Sequence, residues 1–239
     1  MKRYIILFLL GALALLSCKK HGNSYIYKNA EMGIVDNKVF TTDGGVKMNI
    51  ISAPEDIDVV TRRRVLILYE LHLKEENNYA YNIIVLDLVE PVYISSILKE
   101  TPEAEPDGDP VSVYDGWFSG GYLNLCLLYH TDPKKEAEQT FSFYHGVNSK
   151  LVTFAVRRDG QGENYFSVTD PEKQYTYLSI PMEPIWQDYL NAAEGGVLDE
   201  DRSMSVNLTW RWHAVSSSTG DYIKEIISYN MQGTYYPDM

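Results

Sequence analysis

Hydrophobic and polar residues alternate with a period of two in two long stretches of the chain. In one, Val65, Ile67, Tyr69, Leu71 and Leu73 share a parity, while Glu70, His72 and Lys74 occupy the other; in the second, Val206, Leu208, Trp210, Trp212 and Ala214 alternate with Ser205, Asn207, Thr209, Arg211 and His213. A pleated strand sends successive side chains to opposite faces, so each stretch predicts a strand with one face on a core and one on water. Shorter apolar runs at residues 35–40, 46–52, 79–88, 123–129, 140–144, 151–156, 175–180 and 222–229 predict further strands, with Asp43-Gly44-Gly45 and Asn77-Asn78 as turns between neighbours. Residues 184–194 break the rhythm and predict a short helix stopped by Gly195-Gly196. The expected fold class is therefore all-β, with at most that helix. Four or five short strands over residues 24–98 predict a small barrel, and six or more over residues 111–239 predict a sandwich. Between them, residues 99–110 hold Pro102, Pro106 and Pro110 and five acids, a composition that predicts an extended, self-repelling linker.

The first residues follow another logic. Lys2 and Arg3 precede an apolar run at residues 4–16, which fits the core of a signal peptide and is short of the roughly 20 residues a spanning helix needs. The run ends in Leu15-Leu16-Ser17-Cys18, which resembles a bacterial lipobox. That resemblance implies cleavage after Ser17 and acylation of Cys18 by diacylglycerol and a further fatty chain such as palmitate. At about 0.8 kcal/mol per buried methylene, several chains make a stable anchor, so the bilayer is the first expected partner. Lys19-Lys20-His21-Gly22-Asn23 follows without an acidic pair. In the Gram-negative lipoproteins this segment resembles, acids after the Cys mark surface export, so the expected location is the outer membrane, facing the periplasm. With Cys18 acylated, Cys126 has no partner for a disulfide and reads as a small buried hydrophobe within Leu123-Asn124-Leu125-Cys126-Leu127-Leu128.

Composition narrows the function. The 239 residues carry 21 Lys and Arg against 33 Asp and Glu, a formal charge of −12. Loss of Lys2 and Arg3 with the signal makes the mature chain 19 − 33 = −14. An acidic chain does not suit phosphate backbones, and the one basic run, Arg62-Arg63-Arg64, lies in a stretch that is itself net acidic, so no nucleic-acid partner is expected. Gly-x-Ser-x-Gly, His-Glu-x-x-His, paired Cys-x-x-Cys and phosphate-binding Gly-x-x-x-x-Gly-Lys patterns are absent from the sequence. His72 and His213 fall on outward strand positions and His130 and His145 at strand ends, which reads as four solvated histidines. Cys126 and His130 are about 13 Å apart along one strand, too far for a thiolate pair. The acidic clusters Asp107-Gly108-Asp109 and Asp199-Glu200-Asp201 lack calcium-loop spacing and read as solvated loops. No cofactor, metal or catalytic residue is assigned. The 19 tyrosines fit either half-buried strand faces or an exposed contact surface.

The stretch Asp115-Gly116-Trp117-Phe118-Ser119-Gly120-Gly121-Tyr122-Leu123-Asn124-Leu125 resembles the hallmark of the NigD-like lipoproteins, in which a Gly-Gly-Tyr-Leu-Asn-like opening leads into the first strands of the second domain. The order of lipidated N-terminus, small domain, linker and β-rich half is similar as well. The resemblance implies an OB-like barrel followed by a β-sandwich, and the family's name implies bacteriocin immunity. It supplies no catalytic residues. The motif itself has a structural reading: Gly116, Gly120 and Gly121 permit positive φ and a bulge, and Trp117 and Tyr122 pack across the turn ahead of Leu123 and Asn124. The leading functional expectation is a non-enzymatic, lipid-anchored envelope protein that binds a protein, toxin or glycan. The alternatives are an immunity protein whose acidic sandwich intercepts a cationic toxin, and a hydrolase using carboxylates such as Asp199 and Asp201.

Overall fold

The computed structural model describes residues 28–72, 81–102, 108–135, 138–148, 151–192 and 203–237. Among the described residues the fold is all-β with one short helix, and the chain divides into two compact units, one up to Glu90 and one from Pro91.

The first unit is a closed five-stranded barrel. Strands β1 (Lys28–Asp36), β2 (Val39–Thr42), β3 (Lys47–Ser52), β4 (Arg63–His72) and β5 (Tyr81–Val89) close in the order β1-β2-β3-β5-β4, with β3 and β5 parallel and the other pairs antiparallel. This is an OB-like barrel. The alternation in β4 is realised: Val65, Ile67 and Tyr69 are fully buried and meet Val35, Phe40, Ile83 and Val85. The strand expected at residues 35–40 is in fact split, because Asn37 and Lys38 both take positive φ and make the two-residue turn joining β1 to β2. Asn77-Asn78 and Leu73 lie outside the described residues.

The second unit packs two sheets face to face. It contains β6 (Val92–Tyr93), β7 (Ser96–Leu98), β8 (Ser112–Ser119), β9 (Tyr122–Thr131), β10 (Thr140–Asn148), β11 (Leu151–Asp159), β12 (Glu172–Pro181), α1 (Glu183–Ala192), β13 (Met204–Val215) and β14 (Tyr222–Tyr235). One sheet runs β14-β13-β11-β10-β7 and the other β6-β12-β9-β8. Their facing sides form one core, in which Phe143, Phe154, Val206 and Leu208 meet Leu123, Leu125, Leu178 and Ile180. The helix closes it with Ile185, Trp186 and Tyr189, whose spacing puts all three on one helical face.

The domain border differs from the sequence expectation. The sequence pattern places residues 92–98 in the barrel, yet Val92 and Tyr93 pair with β12 and Ser96–Leu98 with β10, so they are edge strands of the sandwich. The described part of the expected linker is also held: Lys99 N–H donates to His145 O, and Asp109 N–H to Arg158 O. Two- and three-residue edge strands are too short to leave a periodic pattern, which is why the border moved.

Candidate functional site

The motif segment builds one side of the sandwich. β8 and β9 are joined by Gly120 and Gly121, with φ of +57° and +79°, so Ser119 pairs directly with Tyr122 across a two-residue turn. Both conformations strain any residue with a Cβ. Further back the register slips between Val113 and Asp115, and the Asp115 carboxylate accepts the N–H of Gly116 at 2.8 Å. Asn124 is fully buried; its amide donates to Ser119 Oγ at 3.0 Å and its carbonyl accepts from Ser179 Oγ at 2.7 Å, which ties the hairpin to β12. Tyr122 packs edge-on against Tyr93, and Trp117 sits opposite Asn124 in the ladder. Leu123 enters the core. Beside this hairpin lies an apolar crevice of about 180 Å³, lined by Gly116, Phe118, Leu123, Phe154, Val206 and Met231 among others. A Cβ on Gly116 would stand 3.0 Å from Met231 Cε and 3.1 Å from Leu125 Cδ2, so glycine there leaves the crevice its width. The crevice was not read from the sequence, because it joins β8 to β14, more than a hundred residues away.

All three sandwich histidines expected in water are buried: His130, His145 and His213 are each no more than 2% exposed, and only His72, at the end of β4, is half-buried. His213 occupies the outward parity of β13 but is roofed by the 160–171 loop, whose Phe166 meets it edge-on at 4.9 Å and whose Tyr165 lies at 6.5 Å. Tyr165 also meets His130, which stacks on Trp212 at 5.4 Å. Among the described residues neither ring nitrogen of either histidine has a hydrogen-bond partner. Burial first, then the cations Lys173 and Arg158 and the neighbouring His213, push the His130 pKa down to about 4, and burial pushes His213 down as well. Both are neutral imidazoles in an aromatic box at neutral pH. Strand parity shows which side a residue takes and not whether a distant loop covers that side.

His145 lies in a different setting. Its Nδ1 is 2.8 Å from Ser96 Oγ on β7, and its Nε2 is 3.0 Å from Asp188 Oδ2 on α1. With the carboxylate fixing the Nε2–H tautomer, Nδ1 accepts the serine proton, and the trio has the residue types of a serine relay. Acyl transfer also needs free donors aimed at the developing oxyanion. The backbone N–H groups of Ile94, two residues before Ser96, and Lys99, three after it, donate to Ser179 O and His145 O. The geometry supports a polar clasp that holds β7 and α1 to β10.

No pattern in the sequence marks the buried cation of the sandwich. Arg158 is fully buried at the end of β11. Its Nε donates to Gln139 Oε1 at 2.8 Å, Nη1 to the carbonyls of Pro110 and Glu163 at 3.2 and 3.0 Å, and Nη2 to His130 O at 3.1 Å, over the Tyr129 ring. Asp109, expected in a solvated cluster, instead accepts the N–H groups of Gly160 and Gly162 at 2.8 and 2.9 Å. Asp107, Glu200, Asp199 and Asp201 lie outside the described residues, as does Cys18, the expected acylation site. Cys126 is 4% exposed and its thiol is pushed up by burial, which favours the inert thiol over a thiolate. In the barrel each arginine of the basic run meets acid: Arg62 with Asp36, Arg63 with Asp58 and Glu90, and Arg64 with both oxygens of Asp43. Asp58 also accepts the Val60 and Thr61 N–H groups, and hydrogen bonds from Thr61 and Val60, ahead of the Arg63 charge, lower its pKa to about 2.

No family model matches the chain, and no curated protein sequence does. Solved structures match its fold. A NigD-like immunity protein from Bacteroides caccae superposes with a TM-score of 0.54 at 18% identity, over 92% of this chain and 100% of that one. A protein of unknown function, DUF1344, from Bacteroides vulgatus gives 0.55 at 14%, over 87% and 91%. A lipoprotein candidate from Bacteroides fragilis gives 0.54 at 12%, over 86% and 97%. At these identities the shared property is the fold, an OB-like barrel followed by a β-sandwich, and it runs through nearly the whole length of each protein.

Proposed function

We propose that this is a lipid-anchored protein of the cell envelope, held through acylated Cys18 in the outer membrane and facing the periplasm, whose sandwich binds a partner without transforming it. The observation that carries the binding role is the apolar crevice between the motif hairpin and β14, which is open on one side and walled by core residues of both sheets. Concave apolar ground is where proteins ordinarily take ligands, and at about 180 Å³, below the roughly 300–1,000 Å³ of a small-molecule pocket, this crevice has room for a protruding side chain of a partner. The anchor reading draws on the lipobox-like segment and on the fold shared with a lipoprotein candidate. Among the described residues no helix is long and apolar enough to cross a membrane. Feeding cells labelled palmitate should tag the wild-type chain and leave Cys18→Ser untagged; an untagged wild type refutes the anchor. Labelling of Ser96 by a fluorophosphonate, or polymer turnover abolished by Ser96→Ala, would overturn the non-catalytic role.

A second reading is toxin neutralisation, favoured by the fold shared with an immunity protein and by the acidic sandwich, with 9 basic against 21 acidic residues from Thr101 onward. Deleting the protein should then sensitise cells to a cationic bacteriocin from a neighbouring strain. Unchanged sensitivity across a bacteriocin panel counts against it.

A further inference from the structure

Four strand edges end the two sheets of the second unit, and three of them are guarded against strand addition. β6 has two residues and β7 three, too few to template a ladder. β8 has eight, but a register slip breaks it and the Asp115 carboxylate occupies its backbone. Short length, bulges and charge are the usual protections of an edge. β14 has little of this. It runs 14 residues, is paired on one side by β13, and no strand among the described residues takes its other side. Its only charges, Lys224 and Glu225, stand near its start; residues 226–236 contain no charge and no proline. Ile227 and Met231 lie beside Trp212 and Leu208, on the core side of the sheet, and each is still 37% exposed.

We propose that β14 pairs antiparallel with β14 of a second copy of this chain, about a two-fold axis at Tyr229, joining two five-stranded sheets into one. The inference rests on the reading of this side of the sandwich as a binding surface and names an occupant for its free edge. Two observations favour a second copy. A two-fold interface must be complementary to itself. An axis at Tyr229 sets Ile227 of one copy against Met231 of the other and Ser228 against Asn230, so at the centre apolar meets apolar and polar meets polar, while at the flanks Ile226 faces Gln232 and Glu225 faces Gly233. Moving the axis by one residue sets Glu225 against Met231 or Tyr235 instead. The second observation is charge. Two copies of a chain at −12 repel, and this neutral run offers a line of close approach with no like charges opposed.

The test is cross-linking of the full-length protein in native membranes. Ser228→Cys, on the exposed middle of β14, is treated with a short bismaleimide, with Tyr114→Cys, 67% exposed on β8, as the collision control. A covalent dimer is expected for Ser228→Cys well above the control, and adding Ile227→Lys should cut its yield by about tenfold, since a lysine opposed to Met231 across each half of the pair cancels the apolar match. Position 227 is already exposed, and circular dichroism of each variant verifies the fold. A yield equal to the control, or one indifferent to Ile227→Lys, overturns the proposal. Adducts with a different protein and none with a second copy also overturn it, while leaving the binding role of this side standing.

Discussion

At the residue scale, the most consequential side chain is one that composition conceals. Arg158 spends its guanidinium on one glutamine and three backbone carbonyls from separate segments, so it fastens residues 110, 130, 139 and 163 to the end of β11. Removing a buried charged partner leaves those acceptors dry, and Arg158→Ala should cost about 3–5 kcal/mol in urea unfolding. Lysine keeps the charge but not the planar fork, so Arg158→Lys should recover only part of that loss. Gly160→Ala tests the same centre from outside: a Cβ there would come within 2.6 Å of Gln139 Oε1 and closer still to the guanidinium, so alanine should displace it and destabilise comparably. His130 gives a pH signature. Unfolded, an imidazole takes its proton near 6.5, whereas folded His130 resists until about 4. Between those values the unfolded chain binds the proton and the folded one does not, so stability is fully present above pH 6.5, falls as pH drops, and stops falling on this account near pH 4. At about 1.36 kcal/mol per pH unit the loss is about 3 kcal/mol. His130→Phe should remove that portion of the slope between pH 6.5 and 4, and an unchanged slope would contradict the burial argument.

At the scale of the element, turns and strands show what the sequence alone can resolve. Gly121 has φ of +79° and open space around its missing Cβ, so Gly121→Ala should cost about 1 kcal/mol from backbone strain alone, with Gly121→Asn milder, as urea midpoints would show. The parity of β4 and of the core side of β13 was legible because a pleat obeys it without outside help. The β1–β2 turn was not, because Asn37-Lys38 lies inside an otherwise apolar run and lysine gives no sign of positive φ. The same limit explains His213. Its parity is as expected, but the 160–171 loop that buries it is fixed not only locally, by Asn164 and Arg158, but also by Asp109, 51 and 53 residues before the glycines it holds. The candidate site was half legible for this reason: the hairpin wall of the crevice is local, and its β14 wall is not.

At the scale of the whole molecule, net charge separates two kinds of association that share one side of the sandwich. Pairing of two copies along β14 works against the mutual repulsion of acidic bodies, and added salt screens that repulsion over about 10 Å at 0.1 M. Capture of a cationic partner gains from the same charge, and salt takes the gain away. The slopes therefore have opposite signs. Raising salt from about 0.05 M to about 0.3 M should increase the Ser228→Cys dimer yield, and should weaken binding of a basic toxin by slowing its encounter. Both can be measured on one membrane preparation. A dimer yield that falls with salt would mean that charge pairs hold the interface, which the neutral run at residues 226–236 does not supply. A toxin affinity indifferent to salt would move recognition from the acidic surface to the apolar crevice, where Gly116→Leu, by filling the space between Met231 and Leu125, should then abolish it.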